Sequence, residues 1–170
     1  MTLPAPSVRL LICGAADRGD DGAALTAIAR LLPTLDPAIR ERLEVRRCPQ
    51  LDPLDLIDVA ADQSCLVIDT VLGIEPGSVI AIPLEDLASR GSAVSPRSSH
   101  ALPIQQVLGI AAAIRGTLPA GTFVGIGGKW FGFGERHSRA VTAGMAELQS
   151  KIETELVRLL AAGVAIEAHA

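Results

Sequence analysis

Two carboxylates and one imidazole stand out in this sequence as a chelating set: Asp21, Asp69 and His100. Oxygen and nitrogen ligands in this combination suit a divalent transition metal, which can polarise a carbonyl group or lower the pKa of a bound water. The three residues lie far apart in the chain and match no local motif. They form one site only if the fold brings three separate loops to the same place.

Each of these residues also has an interpretation without chemistry. Asp20 or Asp21 could cap the helix that follows them, and Asp69 could bond its own backbone in a tight turn. His100, which follows two serines, could be an ordinary loop histidine or a residue at the entry to a helix. The segment around the acidic pair is rich in glycine, but it lacks the Gly-Lys-Ser/Thr ending of a phosphate-binding loop. Two carboxylates at a helix N-terminus would compete with phosphate for the same dipole, which argues against nucleotide binding there.

The elements that would position these residues alternate between strands and helices. Continuous apolar runs at residues 8–13 and 65–68 predict strands buried on both faces, as in a parallel sheet. Residues 43–46 alternate, which indicates a sheet edge with one wet face, and residues 79–82 and 122–126 are further strand candidates. Ligands of open α/β sheets bind at the carboxyl ends of the strands. We therefore expect Asp21, Asp69 and His100 to converge at that edge.

Four helices are predicted between and after these strands, over residues 22–32, from Asp52-Pro53, from Pro103, and from Ser138 onward. The residues expected to face the core are Leu25, Ile28, Ala29 and Leu32; Leu54, Ile57 and Ala61; Ile104, Val107, Leu108, Ala111 and Ile114; and Val141, Met145, Leu148, Ile152, Leu156 and Leu159. Residues 84–99 are expected to form a long irregular connection. This rhythm predicts a three-layer α/β/α sandwich in a single domain spanning residues 1–170, with its core at about 8–160.

Composition excludes several classes of function. A net charge of −4 without a basic stripe argues against nucleic-acid binding, and no apolar stretch is long enough to span a membrane. The N-terminal residues do not have the pattern of a secretory signal. Three cysteines without C-x-x-C spacing argue against a zinc framework or a disulfide scaffold, so we expect a reducing, cytoplasmic setting. The sequence carries no signal for a particular oligomeric state.

Four short motifs, in order and with matching spacing, resemble those of the nickel–iron hydrogenase maturation endopeptidases. They are L-L-I-C-G-A-A-D-R-G-D-D-G at residues 10–22, L-V-I-D at 66–69, S-S-H-A-L at 98–102 and G-F-G-E-R-H-S at 132–138. The likeness extends over residues 8–160. Two positions depart from the family pattern: Ala15 replaces the usual Asn, and residues 47–50 (R-C-P-Q) replace its D-G-G-T loop.

This resemblance implies a specific function and fold. Members of the family are aspartic-type endopeptidases that remove a C-terminal extension from the hydrogenase large-subunit precursor after nickel has been inserted. Their metal-contacting and catalytic positions correspond to Asp21, Asp69 and His100 of this chain. The nickel belongs to the precursor, so no permanently bound cofactor is expected. The implied fold is a phosphorylase/hydrolase-like sandwich around a mixed, mostly parallel five-stranded sheet with one antiparallel strand.

Two other classes of function fit part of the sequence. A receiver-like signalling domain would use Asp69 as phosphoacceptor, with the acidic pair, Ser98 or Ser99, and Lys129 as its other site residues. Against it, the acidic pair lies well beyond the end of the first strand, and Lys129 lacks the proline that usually follows.

A thiol enzyme would instead use Cys48 as nucleophile and His100 as base, with Arg46 and Arg47 lowering the pKa of the thiol. Pro49 weakens this hypothesis because it removes a backbone donor from the loop that would form an oxyanion hole.

The four aromatic residues are confined to one short stretch, as Phe123, Trp130, Phe131 and Phe133. Three of them lie in a single glycine-rich loop. They could close the end of the sheet as part of the core, or they could form an exposed surface on which another protein docks. The sequence leaves both interpretations open.

Overall fold

A five-stranded sheet with the order β2-β1-β3-β5-β4 forms the centre of the computed structural model, which describes residues 8–89 and 102–167. The strands are Val8–Cys13 (β1), Leu43–Cys48 (β2), Ser64–Val71 (β3), Val79–Pro83 (β4) and Gly121–Gly127 (β5). β1, β2, β3 and β5 are parallel, and β4 pairs with β5 in the antiparallel direction. The predicted mixed, mostly parallel sheet is therefore confirmed.

The burial of the central strands follows their sequence pattern. Every residue of β1 is buried, and β3 is buried except at Asp69, because helices cover both faces of the central strands. β2 lies at an edge of the sheet, and Val45 and Arg47 there are exposed. The alternation in residues 43–46 thus indicated the edge position correctly, but the apolar residue Val45 is 42% exposed, so the alternation did not separate a buried face from a wet one.

Six helices complete the described part of the chain and form the two outer layers. They are Ala23–Leu31 (α1), Pro37–Arg40 (α2), Pro53–Ile57 (α3), Leu84–Ser89 (α4), Ile104–Arg115 (α5) and Arg139–Glu167 (α6). α1 and α6 pack on one face of the sheet, and α3, α4 and α5 pack on the other. Within residues 8–89 and 102–167, no helix is both long and apolar enough to cross a membrane.

The predicted start of α3 is correct, but its predicted buried face is not. Asp52 caps α3 through a reciprocal capping box with Asp55, as the Asp-Pro start predicted. α3 ends after five residues, however, so it buries Leu56 and leaves Leu54 72% exposed. The expected inward position of Leu54 was wrong, and Ala61 lies beyond the helix.

Three other expectations about the helices need correction. Ala29 is exposed, because α1 buries Ala23, Ala24, Ala27, Ile28 and Leu31 instead. Ile114 in the last turn of α5 is 64% exposed. The connection expected to be irregular begins with helix α4, which buries Leu84 and Leu87 against the sheet. The predicted inward face of α6 is confirmed along its length.

Candidate functional site

The candidate site lies at the edge of the sheet where the parallel strands end. β3 pairs with β1 up to Ile68 and with β5 up to Val71, so β3 extends beyond the end of β1. Asp69 is therefore part of β3 and does not follow it, which corrects the strand end expected from the apolar run. Its Oδ1 accepts a hydrogen bond from the N–H of Thr70 at 2.7 Å, so the local backbone contact is also present.

Asp21 reaches the same edge from the loop after β1. It lies in a 3-10 turn spanning Gly19–Gly22 and is 4% exposed. Its Oδ2 accepts a hydrogen bond from the N–H of Ala15 at 2.9 Å. The backbone of the loop therefore folds around this carboxylate and holds it close to the end of β1.

Gly14 makes this close approach sterically feasible. Its φ is +116°, a region that L residues rarely adopt, and a Cβ placed there would lie 2.0 Å from the carbonyl oxygen of Asp21. No side chain can be accommodated without moving the acidic turn.

We expect Gly14→Ala to lower the free energy of unfolding by more than about 3 kcal/mol, because backbone strain and a backbone clash add together. Gly116→Ala is a matched control, since Gly116 has φ +88° but open space around its Cβ position. That control should cost only about 1–2 kcal/mol, the strain of an L residue in the left-handed region. Urea denaturation of both variants measures the difference, and equal losses would show that contact with Asp21 is unimportant.

Asp20 has a structural role that the sequence did not separate from that of Asp21. Its side chain is fully buried. Oδ2 accepts hydrogen bonds from the N–H groups of Lys129 at 2.8 Å and Trp130 at 2.9 Å, and Oδ1 accepts one from Ser138 at 2.6 Å. Burial alone would raise the pKa of the Asp20 carboxyl, but these N–H donors hold it below its usual value.

A hydrogen bond connects the acidic turn at Gly19–Gly22 to the end of β3. The hydroxyl of Thr70 donates a buried hydrogen bond to the carbonyl oxygen of Asp20 at 2.7 Å, which ties the acidic turn to β3. Contact with the Cys48 side chain, burial and the negative charge of Asp69 together raise the pKa of the Cys13 thiol. Because Ile68 lies opposite Ile12 in the parallel pairing of β3 and β1, Asp69 lies beside Cys13 at the end of β1, where Asp21 is also held.

The third residue of the predicted set, His100, lies outside the described residues, as do Ser98 and Ser99. In residues 8–89 and 102–167, no group of three or more His, Cys, Asp and Glu side chains is arranged to hold a metal ion. The structure thus brings Asp21 and Asp69 to one edge of the sheet. The contribution of His100 stays a prediction.

The surroundings of Cys48 do not favour a thiol nucleophile. Cys48 is 5% exposed and lies directly opposite Cys13 in the pairing of β1 and β2. The guanidinium of Arg46 is directed at Glu44, with Nε 2.6 Å from Oε1. Arg46 therefore pairs with a carboxylate, which reduces its ability to stabilise a thiolate at Cys48.

The aromatic residues divide between the two predicted roles. Phe123 is fully buried in β5, as the core interpretation required. Trp130 is 44% exposed and Phe133 is 75% exposed. The guanidinium of Arg18 lies 3.8 Å from the centre of the Phe133 ring, which covers one face of that ring.

His137 joins the aromatic loop to the acidic turn and was missed as a site residue. Its Nδ1 lies 3.0 Å from the carbonyl oxygen of Gly19, which can only accept, so this nitrogen carries the hydrogen. Its Nε2 lies 2.7 Å from the hydroxyl of Thr26, which donates to it when the ring is neutral. Both ring nitrogens are therefore used in positioning the loop.

Comparison with solved structures identifies proteins with this fold. A [NiFe] hydrogenase maturation protease HybD from Thermococcus kodakarensis matches with a TM-score of 0.64 and 24% identity, covering 86% of this chain and 97% of that one. HybD from E. coli, a hydrogenase maturating endopeptidase, has a TM-score of 0.64 and 16% identity over 89% and 92% of the two chains. The maturation protease HycI from Thermococcus kodakarensis KOD1 matches with a TM-score of 0.59 and 19% sequence identity, covering 89% of this chain and 92% of that one.

No protein-family model matches the sequence, and the search of curated proteins gave no match. At the identities found, the structural likeness establishes the fold. The α/β sandwich expected from the four motifs is thereby confirmed.

Proposed function

We propose that this chain is a hydrogenase maturation endopeptidase, which removes the C-terminal extension of a nickel–iron hydrogenase large-subunit precursor after nickel insertion. The observation that carries the proposal is that Asp21 and Asp69 both lie at the end of β1. Support comes from the fold shared with solved proteases of this name over almost the whole of their length. It acts, on this proposal, in the cytoplasm.

In this proposal Asp21, Asp69 and His100 contact the nickel that the precursor carries, and the enzyme keeps no metal of its own. Carboxylate oxygens and an imidazole nitrogen are suitable ligands for nickel, and the absence of thiolates from the set favours intermediate affinity. Such affinity suits a metal that must leave with the product. Asp21, Asp69 and His100 would hold the precursor's nickel beside the scissile bond, where it would polarise the carbonyl group and make its carbon more electrophilic.

The contacts of the two neighbouring acids, Asp20 and Asp21, are consistent with this proposal. Asp20 uses both carboxylate oxygens on backbone N–H groups, whereas Asp21, the next residue, is oriented by Ala15 at the end of β1. Asp20 thus holds the loop together, and our proposal assigns Asp21 to the nickel of the precursor. The substitution of Ala at position 15 retains this contact, because the hydrogen bond uses the backbone N–H.

The test is cleavage of a precursor with and without nickel. Purified protein is incubated with nickel-loaded large-subunit precursor and with the same precursor prepared without nickel. We expect a shortened product, detected by intact mass spectrometry, only from the loaded precursor. Cleavage of both forms at the same rate would contradict nickel recognition, and cleavage of neither would contradict the proposed activity.

A further inference from the structure

A basic groove lies next to the candidate site, between the loop that follows β5 and the first turn of α6. It has a volume of about 510 Å³ and is lined by Lys129, Trp130, Arg136, His137 and Arg139, among others. Lys129 and Trp130 are two of the three residues whose N–H groups bind the carboxylate of Asp20, and the third, Ser138, also lines the groove. The groove therefore begins beside the acidic turn that contains Asp21.

The charge of the groove is opposite to that of the chain. The whole chain has a net charge of −4, yet Lys129, Arg136 and Arg139 place three cations around one opening. All three are exposed, and none belongs to an ion pair between residues that the structure describes. Glu135 is also exposed, but it does not pair with them. A positive field on an otherwise acidic protein attracts and orients a negatively charged partner.

The groove also has an apolar wall and a fixed shape. The Trp130 side chain is 44% exposed, and a partly exposed tryptophan is a frequent anchor at protein interfaces. Asp20 binds the backbone at both ends of the loop, and His137 is held through both ring nitrogens. A partner therefore meets a wall that is already ordered, which lowers the entropic cost of binding.

We infer that the basic groove binds an acidic stretch of the precursor polypeptide that carries the cleaved bond. Carboxylates of that stretch meet Lys129, Arg136 and Arg139, and an apolar side chain packs on Trp130. This inference rests on the proposed function for the identity of the partner. The binding chemistry, an acidic peptide with an apolar side chain, follows from the groove itself.

The first measurement uses a short labelled peptide of alternating Glu, Ala and Leu, with a Gln-for-Glu peptide as its neutral counterpart. We expect the protein to raise the fluorescence anisotropy of the acidic peptide but not that of the neutral peptide. The affinity for the acidic peptide should fall as salt screens the charges. The double variant Arg136→Glu/Arg139→Glu should weaken binding about tenfold or more, because attraction becomes repulsion. Arg136→Gln/Arg139→Gln should give an intermediate loss.

A matched control reverses two exposed arginines away from the groove. Arg30 and Arg40 lie in α1 and α2 and form no ion pair within the described residues. Arg30→Glu/Arg40→Glu changes the net charge by the same amount as Arg136→Glu/Arg139→Glu. Equal losses in both double variants would overturn the inference, since only net charge would then matter. Concentration-dependent dimers of the wild type that Arg136→Glu/Arg139→Glu abolishes would also overturn it, by making a second copy the occupant.

The second measurement separates this inference from the proposed function. With nickel-loaded precursor, Arg136→Glu/Arg139→Glu should raise KM about tenfold and leave kcat almost unchanged, since the groove binds away from the reacting atoms. Cleavage with an unchanged KM would overturn the inference that the groove binds the precursor and would leave the proposed function unaffected. Groove-dependent peptide binding without any precursor cleavage would overturn the proposed function and support the groove.

Discussion

Asp21→Asn should lower the rate of precursor cleavage by at least about a hundredfold, because loss of one anionic nickel contact removes several kcal/mol of charge stabilisation. The fold should survive, since the amide oxygen of Asn can still accept the hydrogen bond that Ala15 donates to Oδ2. The measurement is single-turnover cleavage of nickel-loaded precursor, followed by mass spectrometry. Thermal unfolding of the same sample confirms that the variant is folded.

Asp17→Asn is the matched control, because Asp17 is an exposed acid in the same loop. It removes the same charge near the site, and we expect it to retain nearly the full rate. Cleavage by Asp21→Asn at the wild-type rate would remove Asp21 from the mechanism. A comparable loss in both variants would attribute the effect to the charge of the loop in general.

Asp20→Asn should lower the free energy of unfolding by about 3 kcal/mol at neutral pH. An amide oxygen can replace only one carboxylate oxygen, so either Ser138 or the pair Lys129 and Trp130 would face an NH₂ group. The orientation that keeps more hydrogen bonds places the amide oxygen on Lys129 and Trp130, so the N–H of Ser138 meets another donor and loses its acceptor. The charge-assisted character of the other two bonds is lost as well. Urea denaturation at neutral pH measures the loss.

The same variant should change the acid sensitivity of the protein. The pKa of Asp20 is lowered in the folded state, so its contribution is fully present above the pKa of the unfolded chain, about 4. That contribution is lost as the pH falls through the folded-state pKa. The stability difference between wild type and Asp20→Asn should therefore shrink as the pH is lowered below about 4. A difference that stays constant over this range would show that ionisation of Asp20 is not its source.

The sequence predicted the sheet well because its strands carry strong local signals. β1 and β3 are continuous apolar runs, so their burial and their central place in the sheet follow from the side-chain pattern. The alternation of β2 indicated its edge position but not its burial, since Val45 is exposed. The faces of the short helices were predicted less well. α3 has five residues, which is too short for periodicity to indicate whether Leu54 or Leu56 is buried.

The site was predicted in outline from residue type and strand order. Asp21 and Asp69 lie at one edge of the sheet, as expected, and the comparison with solved proteases confirms the fold but not the roles of these residues. The structural role of Asp20 could not be predicted, and only the family resemblance singled out Asp21 from this pair. They are neighbours of the same type, and only the donors that reach Asp20 from a distant loop distinguish them.

The separation of these donors along the chain also determines when the site can form during synthesis. The N–H groups that bind Asp20 lie 109, 110 and 118 residues later in the sequence. A ribosome adds about 5–20 residues per second, so the Asp20 carboxylate waits on the order of ten seconds for its partners. During that time the acidic turn stays hydrated, because burying an unpaired carboxylate is too costly. We therefore expect protease protection of the nascent chain to reach residues 14–22 only after the start of α6 has emerged.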